Sequence, residues 1–83
     1  MTKIEVNIKV PGINKVYRVR FPGGMKVSTG IHLIIQMILE KYPEVACEEK
    51  ELYLYRAEID AEVNPQYTFQ ESGIKEGELL ILG

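Results

Sequence analysis

Few side chains in this 83-residue sequence are of types that do chemistry, and their surroundings decide what they could do. His32 is the sole histidine, so any Ser/His/Asp or Cys/His relay would have to pass through it. On a helical wheel it falls with Gln36 and Glu40, outside the apolar stripe, which reads as a solvated position rather than a general base. Cys47, the single cysteine, sits in Ala46-Cys47-Glu48-Glu49, where the adjoining carboxylates discourage the thiolate that a nucleophile needs. One cysteine also excludes an internal disulfide and a thiolate zinc site, and it fits a reducing compartment. Glu58, Asp60 and Glu62 alternate, so an extended backbone would set them on one face. The calcium-loop spacing is missing, and a solvated strand edge explains them better than a cation site. Gly23-Gly24 ahead of a helix start invites a phosphate, but the run to Ser28-Thr29 lacks P-loop spacing, and a loop needing glycine torsions accounts for the pair. The expectation is a protein that is not an enzyme, with no catalytic residue, no cofactor and no metal.

Ten Lys and Arg against twelve Asp and Glu leave a net charge of -2, which argues against a nucleic-acid binder, whose affinity comes from neutralising phosphates. The balance is a cancellation. Residues 1–43 hold seven basic and two acidic side chains, and residues 44–83 hold three basic and ten acidic. With 46% hydrophobic residues, the chain reads as a single domain over residues 1–83, small enough that any apolar residue left outside the core is informative. The longest apolar runs, Leu52–Tyr55 and Leu79–Leu82, are far shorter than a bilayer span. No leader-like segment precedes the first strand. A cytoplasmic protein without direct membrane insertion is expected.

The elements follow from periodicity. Lys3–Val10 alternates strictly, with Ile4, Val6, Ile8 and Val10 on one face. Pro11-Gly12-Ile13-Asn14 supplies turn residues, and residues 16–21 alternate again, Tyr17, Val19 and Phe21 opposing Arg18 and Arg20, which makes a hairpin. Ser28 or Thr29 can cap a helix that runs to about Lys41 and is stopped by Pro43. Ile31, Ile34, Ile35, Ile38, Leu39 and Tyr42 form its core stripe. Glu51–Arg56 reads as a third strand, Ile59 and Val63 mark a short edge strand, and Thr68 and Glu71 have capping-box spacing for one helical turn ended by Gly73. Leu79–Leu82, apolar on both faces, reads as a central strand.

That order, closing in Thr68-Phe69-Gln70-Glu71-Ser72-Gly73-Ile74 and Leu79-Leu80-Ile81-Leu82, resembles the ubiquitin-like β-grasp superfamily over the whole chain. The resemblance implies an α+β fold with a mixed four- or five-stranded sheet packed on one main helix. Within the superfamily, the small size, the Val27-Ser28-Thr29-Gly30-Ile31-His32-Leu33-Ile34-Ile35 helix entry and the end after the last strand resemble the YukD/EsaB family of type VII secretion accessory proteins. This implies a cytoplasmic regulatory partner of a bacterial secretion machine. Ubiquitin and the sulfur carriers end in a mobile tail with two glycines, whereas Gly83 is single and follows Leu82 directly. A carrier or modifier activated at Gly83, and an auxiliary subunit of a larger enzyme, stay open as alternatives.

In a β-grasp the third and last strands are neighbours. With Leu52, Leu54, Leu80 and Leu82 facing the helix, Tyr53, Tyr55, Leu79 and Ile81 form one outward cluster, in a position like the apolar recognition patch of ubiquitin. Lys3, Lys9, Arg18 and Arg20 share that outer face on the hairpin. A protein partner is therefore expected to meet Tyr53, Tyr55, Leu79 and Ile81 with Arg18 and Arg20 alongside, apolar burial holding it and charge orienting it. Leu33 and Met37 are a second apolar surplus, either filling the core edge under residues 44–50 or contacting another subunit.

Overall fold

The computed structural model describes residues 3–44 and 52–83. Lys3–Val10 (β1) and Lys15–Pro22 (β2) form an antiparallel hairpin in register from Lys3↔Pro22 to Val10↔Lys15. The connection is a 3-10 turn, Pro11–Ile13, closed by Asn14, which takes a left-handed φ of 52° and donates its N–H to the Pro11 carbonyl. Asparagine visits that region more readily than other side chains. The helix α1 (Val27–Lys41) crosses one face of the sheet, followed by β3 (Leu54–Arg56), β4 (Ala61–Glu62) and β5 (Leu79–Leu82). The strand order is β2-β1-β5-β3-β4. β5 is central, parallel to β1 and antiparallel to β3, as its two apolar faces predicted.

The core stripe of α1 is as periodicity places it. Ile31, Ile34, Ile35 and Ile38 are buried, and Leu39 and Tyr42 pack half-buried at its margin. The helix ends at Lys41, with the Tyr42 N–H still reaching the Ile38 carbonyl at 2.8 Å before Pro43.

Its start differs from expectation. Ser28 and Thr29 lie inside the first turn; Lys26 is the N-cap and offers no side-chain bond. The first amides are satisfied from elsewhere, Val27 donating to the Tyr67 carbonyl at 2.8 Å and Ser28 to the Pro65 carbonyl at 2.9 Å. A neighbouring loop thus does what a capping side chain does in an isolated helix. The same loop is stitched back to the helix entry, the Phe69 N–H bonding the Met25 carbonyl and the Gln70 N–H the Gly23 carbonyl. Gly23 and Gly24 serve this loop without left-handed torsions; among the described glycines Gly73 and Gly77 take those.

Phe69 is fully buried and stacks on Phe21, with ring centroids 4.4 Å apart and planes 7° from parallel. Gly30 makes room for the pair: a Cβ there would lie 2.6 Å from Phe69 Cζ and 3.2 Å from Phe21 Cε1. Thr68 and Glu71 form the expected reciprocal capping box, with bonds of 2.9 and 3.0 Å, and Gly73 ends that turn at φ 74°. The third strand is shorter than the sequence suggested, beginning at Leu54 rather than Glu51, which lies outside the described residues; beyond it the Tyr53 and Gly83 backbones exchange two hydrogen bonds.

Gly30→Ala should gain about 1 kcal/mol of helix propensity and lose more, about 1–3 kcal/mol, by overpacking the closed Phe21–Phe69 stack. Urea denaturation is expected to show a net destabilised variant, whereas simple propensity predicts the opposite sign.

Candidate docking face

Alternation along the strands sorts the sheet into two surfaces. Val6, Ile8, Leu54, Leu80 and Leu82 are buried beneath α1. Lys9, Val16, Arg18, Arg20, Tyr55, Leu79 and Ile81 occupy the alternate positions and face away from the helix. Strand register joins them into rows. Val16, Lys9, Ile81, Tyr55 and Glu62 cross all five strands in one line, and Arg18, Asn7 and Leu79 form the next. Tyr55 and Ile81 are direct cross-strand partners, close enough for their side chains to pack on each other.

The outward parity expected of Tyr53, Tyr55, Leu79 and Ile81 is what the sheet displays. Tyr53 and Leu79 are each 38% exposed, and Tyr55 and Ile81 are half-buried between their neighbours. Arg18 is exposed on the same face; Arg20 is exposed too, with its Nε 3.3 Å from Glu5 Oε1. One side of the apolar cluster is therefore basic, with part of that charge answered inside the hairpin. Val16, 58% exposed at the end of the long row, was missed, although it shares the parity of Arg18 and Arg20.

The other chemical candidates disperse. Glu58 and Asp60 fall in a turn where Asp60 adopts φ 49°, and only Glu62 is in a strand, so the three acids do not share an extended face. Among the described residues no three His, Cys, Asp or Glu side chains gather as a metal site would need. His32 is exposed on α1, and Cys47 lies outside the described residues. Leu33, 44% exposed, and Met37 line a shallow cleft of about 160 Å³ with Val19, Phe21 and Met25, so they face β2.

What holds the face in place is a buried ion pair that sequence reasoning overlooked. Arg56 Nε donates to Glu78 Oε2 at 2.6 Å and Nη2 to Oε1 at 2.8 Å, with the Glu78 side chain 1% exposed. The Lys75 N–H adds a bond to Glu78 Oε1, and Arg56 Nη1 reaches the Ser72 carbonyl. These bonds tie β3 to the turn that delivers β5, and so set where Leu79 and Ile81 emerge. The Arg56 hydrogen bond holds the Glu78 carboxyl below the usual glutamate range against the opposing effect of burial, and the same bond raises Arg56.

No protein-family model and no curated protein matches the chain. Solved structures do. A ubiquitin-like domain from Arabidopsis thaliana superposes with a TM-score of 0.75 at 21% identity, over 100% of this chain and 78% of that one. The fold is ubiquitin-like. The EccD5 ubiquitin-like domain from Mycobacterium xenopi aligns at 0.77 with 17% identity, over 100% and 94%. A chain of a toluene 4-monooxygenase HD complex with an inhibitor aligns at 0.80 with 14% identity, over 98% and 96%. No helix among the described residues is long and apolar enough to cross a membrane.

Because the folded Glu78 pKa lies below its unfolded value, the stabilisation from the pair is complete above the ordinary glutamate range and is lost as pH falls through the depressed value. Glu78→Gln should be about 3–5 kcal/mol less stable near neutral pH. The gap from wild type should close on acidification in denaturation curves; a gap that stays constant with pH would dissociate the effect from the carboxylate's charge.

Proposed function

We propose that this chain is a non-catalytic protein-interaction module that docks through the sheet face opposite α1. The observation that carries the reading is the contiguous apolar cluster of Tyr53, Tyr55, Leu79 and Ile81 on that face, flanked by Arg18 and Arg20. A domain this small has little apolar surface to spare, and a cluster bordered by charge is the common form of a recognition site. Burial of the two tyrosines and their neighbours supplies affinity, and the basic hairpin orients a partner whose facing surface is acidic.

Within that reading, the partner is a component of a bacterial type VII secretion machine and the protein is a cytoplasmic accessory of it. Support comes from the resemblance of the sequence layout to the YukD/EsaB family and from the whole-length likeness to the EccD5 domain. A second reading, an auxiliary subunit of a larger enzyme, is favoured by the likeness to a chain of the toluene 4-monooxygenase complex. Carriage through an activated Gly83 fits less well, since the Gly83 N–H and carbonyl are both bonded to the Tyr53 backbone at 3.0 and 2.9 Å. An activating enzyme needs the glycine that it charges to lie in a free tail.

Tyr55→Ala and Ile81→Asp are expected to fold, by circular dichroism, and to lose the partner that the wild-type chain captures from native lysate. Mass spectrometry of the captured protein separates a secretion component from an enzyme subunit. Normal capture by both variants would remove the sheet face from consideration.

A further inference from the structure

Beyond Val16, the row that crosses the sheet reads the same from either end once charge is reversed. Lys9, Ile81, Tyr55 and Glu62 stand outward on β1, β5, β3 and β4 in direct register, so a cation and an anion flank two large apolar side chains. Lys9 and Glu62 are exposed, and neither forms an ion pair with another described residue. Neighbouring strands lie about 4.8 Å apart, which puts about 14 Å between the two charges, too far for them to meet within one chain.

The flanking rows obey a second rule. Tyr53 and Gly83 exchange two backbone bonds, and the Ala57 N–H reaches the Leu79 carbonyl, so the β3–β5 pairing continues past Tyr55↔Ile81 in both directions. On the outer face a large side chain is thus set beside a small residue in each row, Tyr53 beside Gly83 and Leu79 beside Ala57. The large one is on β3 in the first row and on β5 in the second. Consider a two-fold axis that runs along the strands, above the outer face and midway between β3 and β5. It turns every row end for end on a second copy. Lys9 then meets Glu62, Ile81 meets Tyr55, Leu79 lies over Ala57 and Tyr53 over Gly83. Both charges are answered, and side chains interdigitate as they do between sheets packed face to face. Arg18, in the row of Leu79, is brought toward the turn that carries Glu58 and Asp60.

We propose that, in the absence of another partner, the outer sheet face binds a second copy of this chain about that axis, as a symmetric dimer. The proposal rests on the docking role argued above for Tyr53, Tyr55, Leu79 and Ile81 and names their occupant. The basic first half and acidic second half of the sequence, which cancel in one chain, become complementary between two. The hairpin of each copy lies over β4 and its preceding turn on the other, and the matched charges fix the register of the pair.

The test is sedimentation velocity of the full chain across a dilution series. A reversible monomer–dimer equilibrium is expected, and Ile81→Asp should abolish the dimer while keeping the wild-type circular dichroism. Lys9→Glu alone and Glu62→Lys alone should each raise the dimer Kd about tenfold or more, since each sets two like-charged pairs across the interface. An equimolar mixture of these two variants should dimerise again, because the two-fold arrangement then opposes unlike charges at both ends of the row. A chain monomeric at every concentration, a mixture that stays dissociated, or a dimer indifferent to Ile81→Asp would overturn the proposal. Capture from lysate keeps this failure apart from that of the docking face. A monomeric wild type whose captured protein is lost on Tyr55→Ala retains the face and discards the second copy. A dimer sensitive to the charge reversals, beside normal capture by Tyr55→Ala and Ile81→Asp, retains the second copy and discards the face as the site of the captured protein.

Discussion

One close approach in this molecule is made possible by an atom that is absent. Gly30 lets Phe69 and Phe21 lie against α1 at a depth that any Cβ would obstruct. Phe69 is carried by the loop that also supplies carbonyls to the first amides of α1. Helix position, loop position and the inner face of β2 are thus one contact seen from three sides. Glycine inside a helix ordinarily weakens it, and here that local weakness is offset by a core that closes around two stacked rings.

With the helix placed, the sheet has one apolar surface committed and one left over. The Arg56–Glu78 pair determines how the leftover surface is presented, because it anchors the turn through which β5 enters the centre of the sheet. A buried carboxylate held by a fork of two guanidinium bonds and a backbone amide is costly to break and specific in geometry. The result is that β3 and the turn that delivers β5 are tied together beside the apolar middle of the outer face.

Patterns with short periods were legible in the residues themselves. Lys3–Val10 alternates because one side meets α1 and the other meets water, and the Thr68–Glu71 box is a contact between residues three apart. The ubiquitin-like order and the outward parity of Tyr53, Tyr55, Leu79 and Ile81 followed from those patterns together with the family resemblance. Contacts closed only by the tertiary fold were not legible. Nothing local announces that Pro65 and Tyr67 will cap α1, so Ser28 and Thr29 drew the assignment. Arg56 and Glu78 are 22 residues apart, each an ordinary charged residue until the sheet brings them together. Gly30 carries no local sign of the two rings that close around it.

The parallel pairing of β1 with β5 also orders events in time. The first strand described and the last lie side by side at the middle of the sheet, so the hairpin and helix made early in synthesis have no finished surface to collapse on. Val6 and Ile8 wait for Leu80 and Leu82, and closing that contact means closing a loop of nearly the whole domain. On the ribosome the sheet therefore remains incomplete until β5 has left the exit tunnel.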